Sequence, residues 1–199
     1  MKENYAKLLE KIVEELGYKP NLLLHSCCAP CSSYVIEYLY NYFNITILYY
    51  NPNIFPKEEY EKRKEEQIRF IKEFDDVKFL DCDYDNELYN KLVKGLESEP
   101  EKGKRCNVCF KLRLEKTAEL AKENNFEYFG TTLTVSPYKN SGLINDIGRE
   151  LELKYDIKWL YADFKKGDGY KRSIELSKKY NLYRQNYCGC IHSKRKDQE

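Results

Sequence analysis

The chain has 199 residues, a formal net charge of +1 and eight cysteines. This length predicts one domain with a full hydrophobic core. No stretch approaches the roughly 18 to 20 apolar residues of a membrane-spanning helix, and the charged N-terminus lacks the apolar segment of a signal peptide, so we expect a cytoplasmic protein with no membrane partner. Because a reducing cytosol disfavours structural disulfides, the cysteines indicate metal binding or redox chemistry.

Short apolar runs alternate with longer helical patterns along the chain. Strands are predicted at 22–24, 45–50, 77–80, 127–129 and 158–161, and helices at the N-terminus and at 34–43, 57–74, 109–124, 142–155 and 170–180. This alternation predicts an α/β fold, an open doubly wound, mostly parallel sheet with helices on both faces. In such folds ligands bind beyond the carboxyl ends of the strands, so we expect the site at that edge.

The sequence predicts a single α/β domain over 1–199, with a helical extension at 1–20, an insertion at 82–110 and a C-terminal tail at 181–199 that ends in the basic stretch SKRKDQE. Two local patterns predict how individual helices begin and which face they expose. Ser32 or Ser33 is suited to cap the helix after the first cysteines. Glu59 and Arg63 are spaced as an i, i+4 ion pair, which is typical of a solvated helix face.

Two cysteine pairs fall at predicted helix starts. Cys27 and Cys28 follow the first strand, and Cys106 and Cys109 form a C-x-x-C motif. Backbone N–H groups and the helix dipole favour thiolates at such positions. Four thiolates suit either Zn²⁺ or a [4Fe–4S] cluster. Such motifs bind zinc more often than a cluster. A closed zinc site stabilises a fold, however, whereas both cysteine pairs are expected at the functional edge of the sheet, which favours the cluster.

The remaining cysteine motifs favour redox chemistry. Cys188 and Cys190 flank one glycine, which lets the backbone close a small, strained and reducible disulfide ring, although half of a second zinc site is an alternative. The segment from Cys28 to Cys31 resembles the C-x-P-C of thioredoxin-type proteins, which offers a thiol–disulfide oxidoreductase as an alternative function. Against that alternative, Cys27 would compete in the exchange.

Two further residues have less specific patterns. His25 ends the first strand, where it could bind a metal, donate a hydrogen bond to a ligand, or be satisfied by the backbone. Cys82 has no partner nearby in sequence and is expected to act as a small buried apolar side chain.

Several long motifs occur in a fixed order from about Leu22 to Ser193. They are HSCCAPC at 25–31, YNPNI at 50–54, ESEPEKGKRCNVCF at 97–110, TTL at 131–133 with SPYKN at 136–140, and YRQNYCGC at 183–190. Through these motifs the chain closely resembles the QueH-type epoxyqueuosine reductases.

The resemblance implies the last step of queuosine synthesis, in which the epoxide of epoxyqueuosine at the tRNA wobble position is reduced to queuosine. It also implies an iron–sulfur enzyme that uses no cobalamin. The implied ligands of a [4Fe–4S] cluster are Cys27, Cys28, Cys106 and Cys109, and the implied redox pair is Cys188 and Cys190. The insertion would then bind the cluster, and the tail would carry the redox pair.

Removing an epoxide oxygen as water takes two electrons and two protons, which one dithiol releases when it forms a disulfide. We therefore hypothesise that Cys188 and Cys190 supply them and that an electron donor, which the sequence does not identify, reduces the pair again. Cys31 or Asp83 could hold an additional iron ion. Because anticodon loops are recognised by stacking and phosphate contacts, the expected tRNA contacts are Tyr138, Lys139, Arg184 and Tyr187. The candidate proton donors are Tyr138, Asp168 and Tyr187.

Overall fold

The structure is a computed structural model that describes residues 3–193. The tail residues 194–199, which carry most of the basic SKRKDQE stretch, lie outside the described range. The strands are β1 Asn21–His25, β2 Asn44–Leu48, β3 Lys78–Leu80, β4 Tyr128–Thr131 and β5 Lys158–Trp159. The α-helices are α1 Tyr5–Glu14, α2 Ala29–Leu39, α3 Lys57–Ile71, α4 Asn86–Leu92, α5 Lys104–Glu123, α6 Ser141–Tyr155 and α7 Gly169–Lys179.

The five strands form one parallel sheet in the order β3-β2-β1-β4-β5. The chain moves outward from β1 through β2 to β3 and then returns to place β4 on the other side of β1. This reversal confirms the predicted doubly wound α/β fold. It also opens a crevice beyond the carboxyl ends of β1 and β4, where neighbouring connections run in opposite directions.

Helices cover both faces of the sheet, and β1 shows how. Leu22 and Leu24 point into a core packed by α1, α2, α3 and Leu182 after α7, whereas Leu23 points into a second core packed by α5 and α6. A strand buried on both faces reads as a continuous apolar run, which is why this strand was predictable. Among the described helices, none is both long and apolar enough to cross a membrane.

Helix α2 begins five residues before its predicted start at residue 34, and the predicted cap is wrong. Cys28 occupies the N-cap position and Pro30 lies in the first turn, where its fixed φ favours a helix start. Ser32 and Ser33 lie inside the helix and donate to the carbonyls of Ala29 and Pro30. The early start places Cys28 directly at the junction between strand and helix.

Helix α5 also begins earlier than predicted, at Lys104 instead of residue 109. Its first turns therefore contain both Cys106 and Cys109. Because a crossover helix runs antiparallel to the strands, these turns lie at the carboxyl edge of the sheet. Helix α4 precedes α5 within the predicted insertion, and the sequence pattern did not predict it.

Candidate active site

Three cysteine sulfurs converge beyond the carboxyl end of β1. The Sγ atoms of Cys27, Cys28 and Cys31 all lie within 4.8 Å of one another, and the first two are 3.8 Å apart. Cys31 joins the group because α2 begins at Ala29, so that the first helical turn directs its side chain toward Cys27 and Cys28. A group of three soft sulfur donors can hold a metal ion.

The pKa values of these three thiols are shifted in different directions. Hydrogen bonds from Cys28 and Cys31 hold the pKa of Cys27 well below its ordinary value. The bond with Cys27 in turn raises the pKa of Cys28 to about 12, and contacts with both neighbours raise that of Cys31. One thiolate is thus stabilised by two thiols, and a bound cation would take the place of their protons.

Seven of the eight cysteines line two cavities that share part of their walls. The first, of about 200 Å³, is lined by the Cys27, Cys28 and Cys31 group together with Cys188. The lining of the second includes Cys106, Cys109, Cys188 and Cys190. Lys139 and Cys188 belong to both linings. The fold therefore brings together cysteines from the β1–α2 junction, α5 and the C-terminal segment.

The sulfurs of the C-x-C motif have different polar partners. The Lys139 ammonium donates to Cys188 Sγ at 3.1 Å, and the Tyr89 hydroxyl lies 3.0 Å from Cys190 Sγ. Burial raises the pKa of Cys188, but the cations Lys139 and Arg113 outweigh burial and leave this pKa below its ordinary value. Cys188 is accordingly more acidic than an ordinary cysteine thiol.

The backbone of this motif is held by two neighbouring segments. Arg63 Nη1 donates to the Cys188 carbonyl at 3.2 Å, and the Phe55 N–H donates to the Gly189 carbonyl at 2.9 Å. Gly189 has a φ of +102°, and a Cβ there would lie 2.9 Å from both Arg63 Nη1 and Ile54 Cγ1. Only glycine satisfies both the backbone conformation and this close approach.

Arg113 lies among the cysteines and was missed by the sequence analysis. Its buried guanidinium donates to the side-chain oxygens of Asn51 and Asn53, while its Nε and Nη2 have no hydrogen-bond partner among the described residues. Burial opposes its charge, but nearby sulfurs, chiefly those of Cys109 and Cys188, raise the pKa of Arg113. A spacing of four residues from Cys109 is the signal that could have placed it on the same helix face.

Arg63 corrects a prediction from the sequence. Its ion pair with Glu59 is present at 2.6 Å, but Arg63 is only 2% exposed and lines the first cavity instead of a solvated face. Within α3, Arg63 shares a buried stripe with Tyr60 and Gln67. The helical spacing of these three residues could have predicted that Arg63 is buried.

His25 has both ring nitrogens engaged. Nε2 donates to the Tyr50 carbonyl at 3.1 Å, so Nδ1 accepts from the Thr131 hydroxyl at 2.9 Å. Burial and the charge of Arg113 lower the pKa of His25 to about 3, which keeps it neutral at physiological pH. His25 thus ties the ends of β1, β2 and β4 together and has no free nitrogen for a metal.

The other predicted residues divide between the cavity and the outer surface. Tyr138, Arg184 and Tyr187 line the first cavity. Asp83 and Asp168 are exposed and are absent from both cavity linings. Cys82 is also absent from both; it packs against the core under α5 and α6 but is only half-buried, whereas the sequence predicted a buried side chain.

Comparison with known proteins decides the family. The family model described as "Epoxyqueuosine reductase QueH" matches residues 22–196. This chain belongs to the QueH family. The match includes all eight cysteines and begins after α1, which lies in the N-terminal extension predicted at 1–20.

Curated QueH proteins support the assignment along most of the chain. The proteins of Streptococcus pyogenes and Staphylococcus epidermidis, both named epoxyqueuosine reductase QueH, are 46% identical over 96% of this chain, which covers 78% and 84% of their lengths. The protein of that name from Haemophilus influenzae is 48% identical over 87% of this chain and 71% of its own. QueH membership disfavours both a thioredoxin-like protein and a zinc-binding module.

Proposed function

We propose that this member of the QueH family reduces epoxyqueuosine at the tRNA wobble position to queuosine. The observation that carries the proposal is the convergence of seven cysteines on two adjoining cavities at the carboxyl edge of the sheet. A structural zinc site needs four of them, whereas a metal centre beside a redox dithiol uses nearly the whole set. The names of the curated relatives supply the substrate.

The proposed cofactor is a [4Fe–4S] cluster bound by Cys27, Cys28, Cys106 and Cys109, without cobalamin. The donor set suits it, because thiolates are the ligands of such clusters. The unpartnered N–H groups of buried Arg113 and Arg63 also suit it, since a thiolate-bound cluster is an anion whose sulfurs accept hydrogen bonds. When bound, the cluster supplies single electrons or a Lewis-acidic iron. Cys31 is the third sulfur at one side of this set and is available to an additional iron ion.

The proposed role of Cys188 and Cys190 is to supply the reducing equivalents. Conversion of their two thiols to one disulfide releases two electrons and two protons. The epoxide takes up the same two electrons and two protons, loses its oxygen as water and becomes an alkene. A reductant then returns the disulfide to the dithiol. Lys139 holds reduced Cys188 at the wall shared by both cavities.

The proposed substrate surface is the rim of the first cavity. Its lining includes the cations Arg63, Arg113, Lys139 and Arg184 against a single carboxylate, Glu101. Exposed Tyr138 offers a ring for base stacking, and Arg184 offers a cation to phosphate. Local charge of this kind lets a chain of net charge +1 bind an anticodon loop.

The function is tested by a single turnover with tRNA that carries epoxyqueuosine, a chemical reductant and protein purified without oxygen. Wild type is expected to hold roughly four irons per chain and to form queuosine. Cys188→Ser is expected to keep its iron and lose product formation, because Cys188 is not a proposed ligand. Cys82→Ser, outside both cavities, is the matched control and should behave as wild type.

Two outcomes would contradict different parts of this proposal. A colourless wild-type protein with one or two zinc ions and no product would reject the iron–sulfur enzyme. Product formation by Cys188→Ser at the wild-type rate would reject the dithiol mechanism and retain the function.

We expect Tyr138→Ala to weaken tRNA binding about tenfold, because loss of one base–aromatic stack costs about 1 to 3 kcal/mol. Fluorescence anisotropy with labelled anticodon stem-loops measures the change. Tyr18→Ala is the control, since Tyr18 is similarly exposed but pairs with Glu127 beside the amino end of β4. Equal losses of affinity in both variants would remove Tyr138 from the binding surface.

A further inference from the structure

The two sulfurs of the Cys188–Gly189–Cys190 motif differ in how an external molecule can reach them. Cys188 is half-buried and lines both cavities, including the larger one. Cys190 is only 7% exposed and packs in a small apolar core with Tyr89, Val93 and Cys109. An incoming thiol can therefore approach Cys188 along the first cavity, of about 200 Å³, whereas Cys190 borders only the second cavity, of about 20 Å³.

The two sulfurs also have different polar partners. The Lys139 ammonium at 3.1 Å stabilises negative charge on Cys188. The Tyr89 hydroxyl at 3.0 Å is suited to donate a hydrogen bond to Cys190, which packs against Val93 and Cys109 on its apolar side. In thiol–disulfide exchange the attacked sulfur must be accessible and the departing sulfur must be stabilised as it gains charge. The first cavity gives access to Cys188, and Tyr89 stabilises Cys190 as it departs. Lys139 stabilises Cys188 when that sulfur departs in the later step.

We propose that Cys188 is the exchanging sulfur of the pair and Cys190 the departing one, with Lys139 and Tyr89 as the residues that position them. A dithiol reductant attacks Cys188 of the disulfide and forms a mixed disulfide. The bond between Cys188 and Cys190 breaks, and its electron pair passes to Cys190, which accepts the Tyr89 hydrogen bond and then a proton from solvent.

The second step returns the enzyme to its reduced form. The other thiol of the reductant attacks the mixed disulfide at the reductant's own sulfur, so that the reductant leaves as a cyclic disulfide. Cys188 departs as a thiolate beside Lys139. The reductant is oxidised by two electrons and the enzyme disulfide is reduced by two. This division of roles rests on the proposed function of the pair as a redox dithiol.

The accessibility of the two sulfurs is tested with iron-loaded, reduced protein and N-ethylmaleimide, with labelled peptides counted by mass spectrometry. In Cys190→Ser, Cys188 is expected to react at least about 100-fold faster than Cys190 reacts in Cys188→Ser. Adding Lys139→Met to the first variant is expected to slow labelling about tenfold. Lys166→Met is the matched control, since Lys166 is an exposed lysine after β5 at the same edge of the sheet. Equal labelling of the two cysteines, or faster labelling of Cys190, overturns the proposal.

The role of Tyr89 is tested separately by reducing the oxidised protein with dithiothreitol. Tyr89→Phe is expected to slow this reduction about tenfold and to leave the labelling rate of Cys188 in the Cys190→Ser protein unchanged. A merely structural role would alter both rates together, and that outcome rejects Tyr89 as a positioning residue. If the wild-type protein converts the tRNA substrate but Cys188 and Cys190 are labelled at equal rates, the division of roles alone is rejected. If Cys188 is labelled much faster than Cys190 but the wild-type protein does not convert the substrate, the proposed function alone is rejected.

Discussion

Arg113→Met is expected to lose most of its bound iron and to be less stable by about 3 kcal/mol, because it leaves buried negative charge without its cation. The same change removes the hydrogen bonds that hold the side chains of Asn51 and Asn53 at the end of β2. Iron analysis after gel filtration and urea unfolding of the iron-loaded protein measure the two effects.

Arg69→Met is the matched control for this prediction. Arg69 lies on α3, is half-exposed and pairs with Glu66 at 2.7 Å, so its loss should cost less than about 1 kcal/mol and no iron. Arg113→Lys should recover only part of the loss, because an ammonium can replace Nη1, which donates to both asparagines, but not the planar N–H groups of Nε and Nη2. Wild-type iron content in Arg113→Met would show that the guanidinium has no role at the centre.

Gly148→Ala is expected to destabilise the fold by about 3 kcal/mol, because a Cβ on α6 would lie only 2.2 Å from the Trp159 ring. Trp159 is 2% exposed, packs at a tilted angle against the Phe129 ring and donates to Asn145, so it has little freedom to move away. Urea unfolding measures the loss.

The effect of Gly148→Ala should be confined to stability. Neither α6 nor β5 contributes to the two cavities, so the folded fraction should convert substrate at the wild-type rate. Gly17→Ala is the control, since a Cβ there meets nothing within 4 Å and the change in stability should stay within about 0.5 kcal/mol. A stable Gly148→Ala protein would mean that the indole can shift at little cost.

The three inner strands β1, β2 and β4 were predictable because burial on both faces gives them largely apolar or aromatic runs, whereas the short edge strands β3 and β5 are marked by Phe79 and Trp159. The observed strands overlap all five predicted ones, and their carboxyl ends place the first cysteines as expected. The start of α2 was less predictable, because the serines after the cysteines offered a plausible cap. The combination of Cys28 as N-cap and Pro30 in the first turn was the better signal.

The cationic part of the site could not be predicted in the same way. Arg63 has a partner, Glu59, at a spacing that usually indicates solvent, and sequence does not report that the C-terminal segment folds over this turn of α3. Arg113 resembles any other arginine in a charged helix. Its place becomes clear only when the end of β2 supplies Asn51 and Asn53 as acceptors.

Residues next to cysteines in sequence are not all neighbours of the centre. Asp83 follows Cys82 after β3, yet both lie outside the cavity linings because β3 is the edge strand, two positions from the crevice. Sheet order decides this, and sheet order depends on long-range pairing that local patterns do not encode.

The cations that line the first cavity divide into a buried pair and an outer pair. Arg63 and Arg113 are 2% and 1% exposed and lie beside cysteine sulfurs, whereas Lys139 is half-buried and Arg184 is exposed. A polyanion that reaches this edge of the sheet therefore meets only the outer pair, while the inner pair is kept for the sulfurs. The salt dependence of binding should accordingly report on Lys139 and Arg184, and raising the ionic strength should loosen the complex while the bound iron is retained.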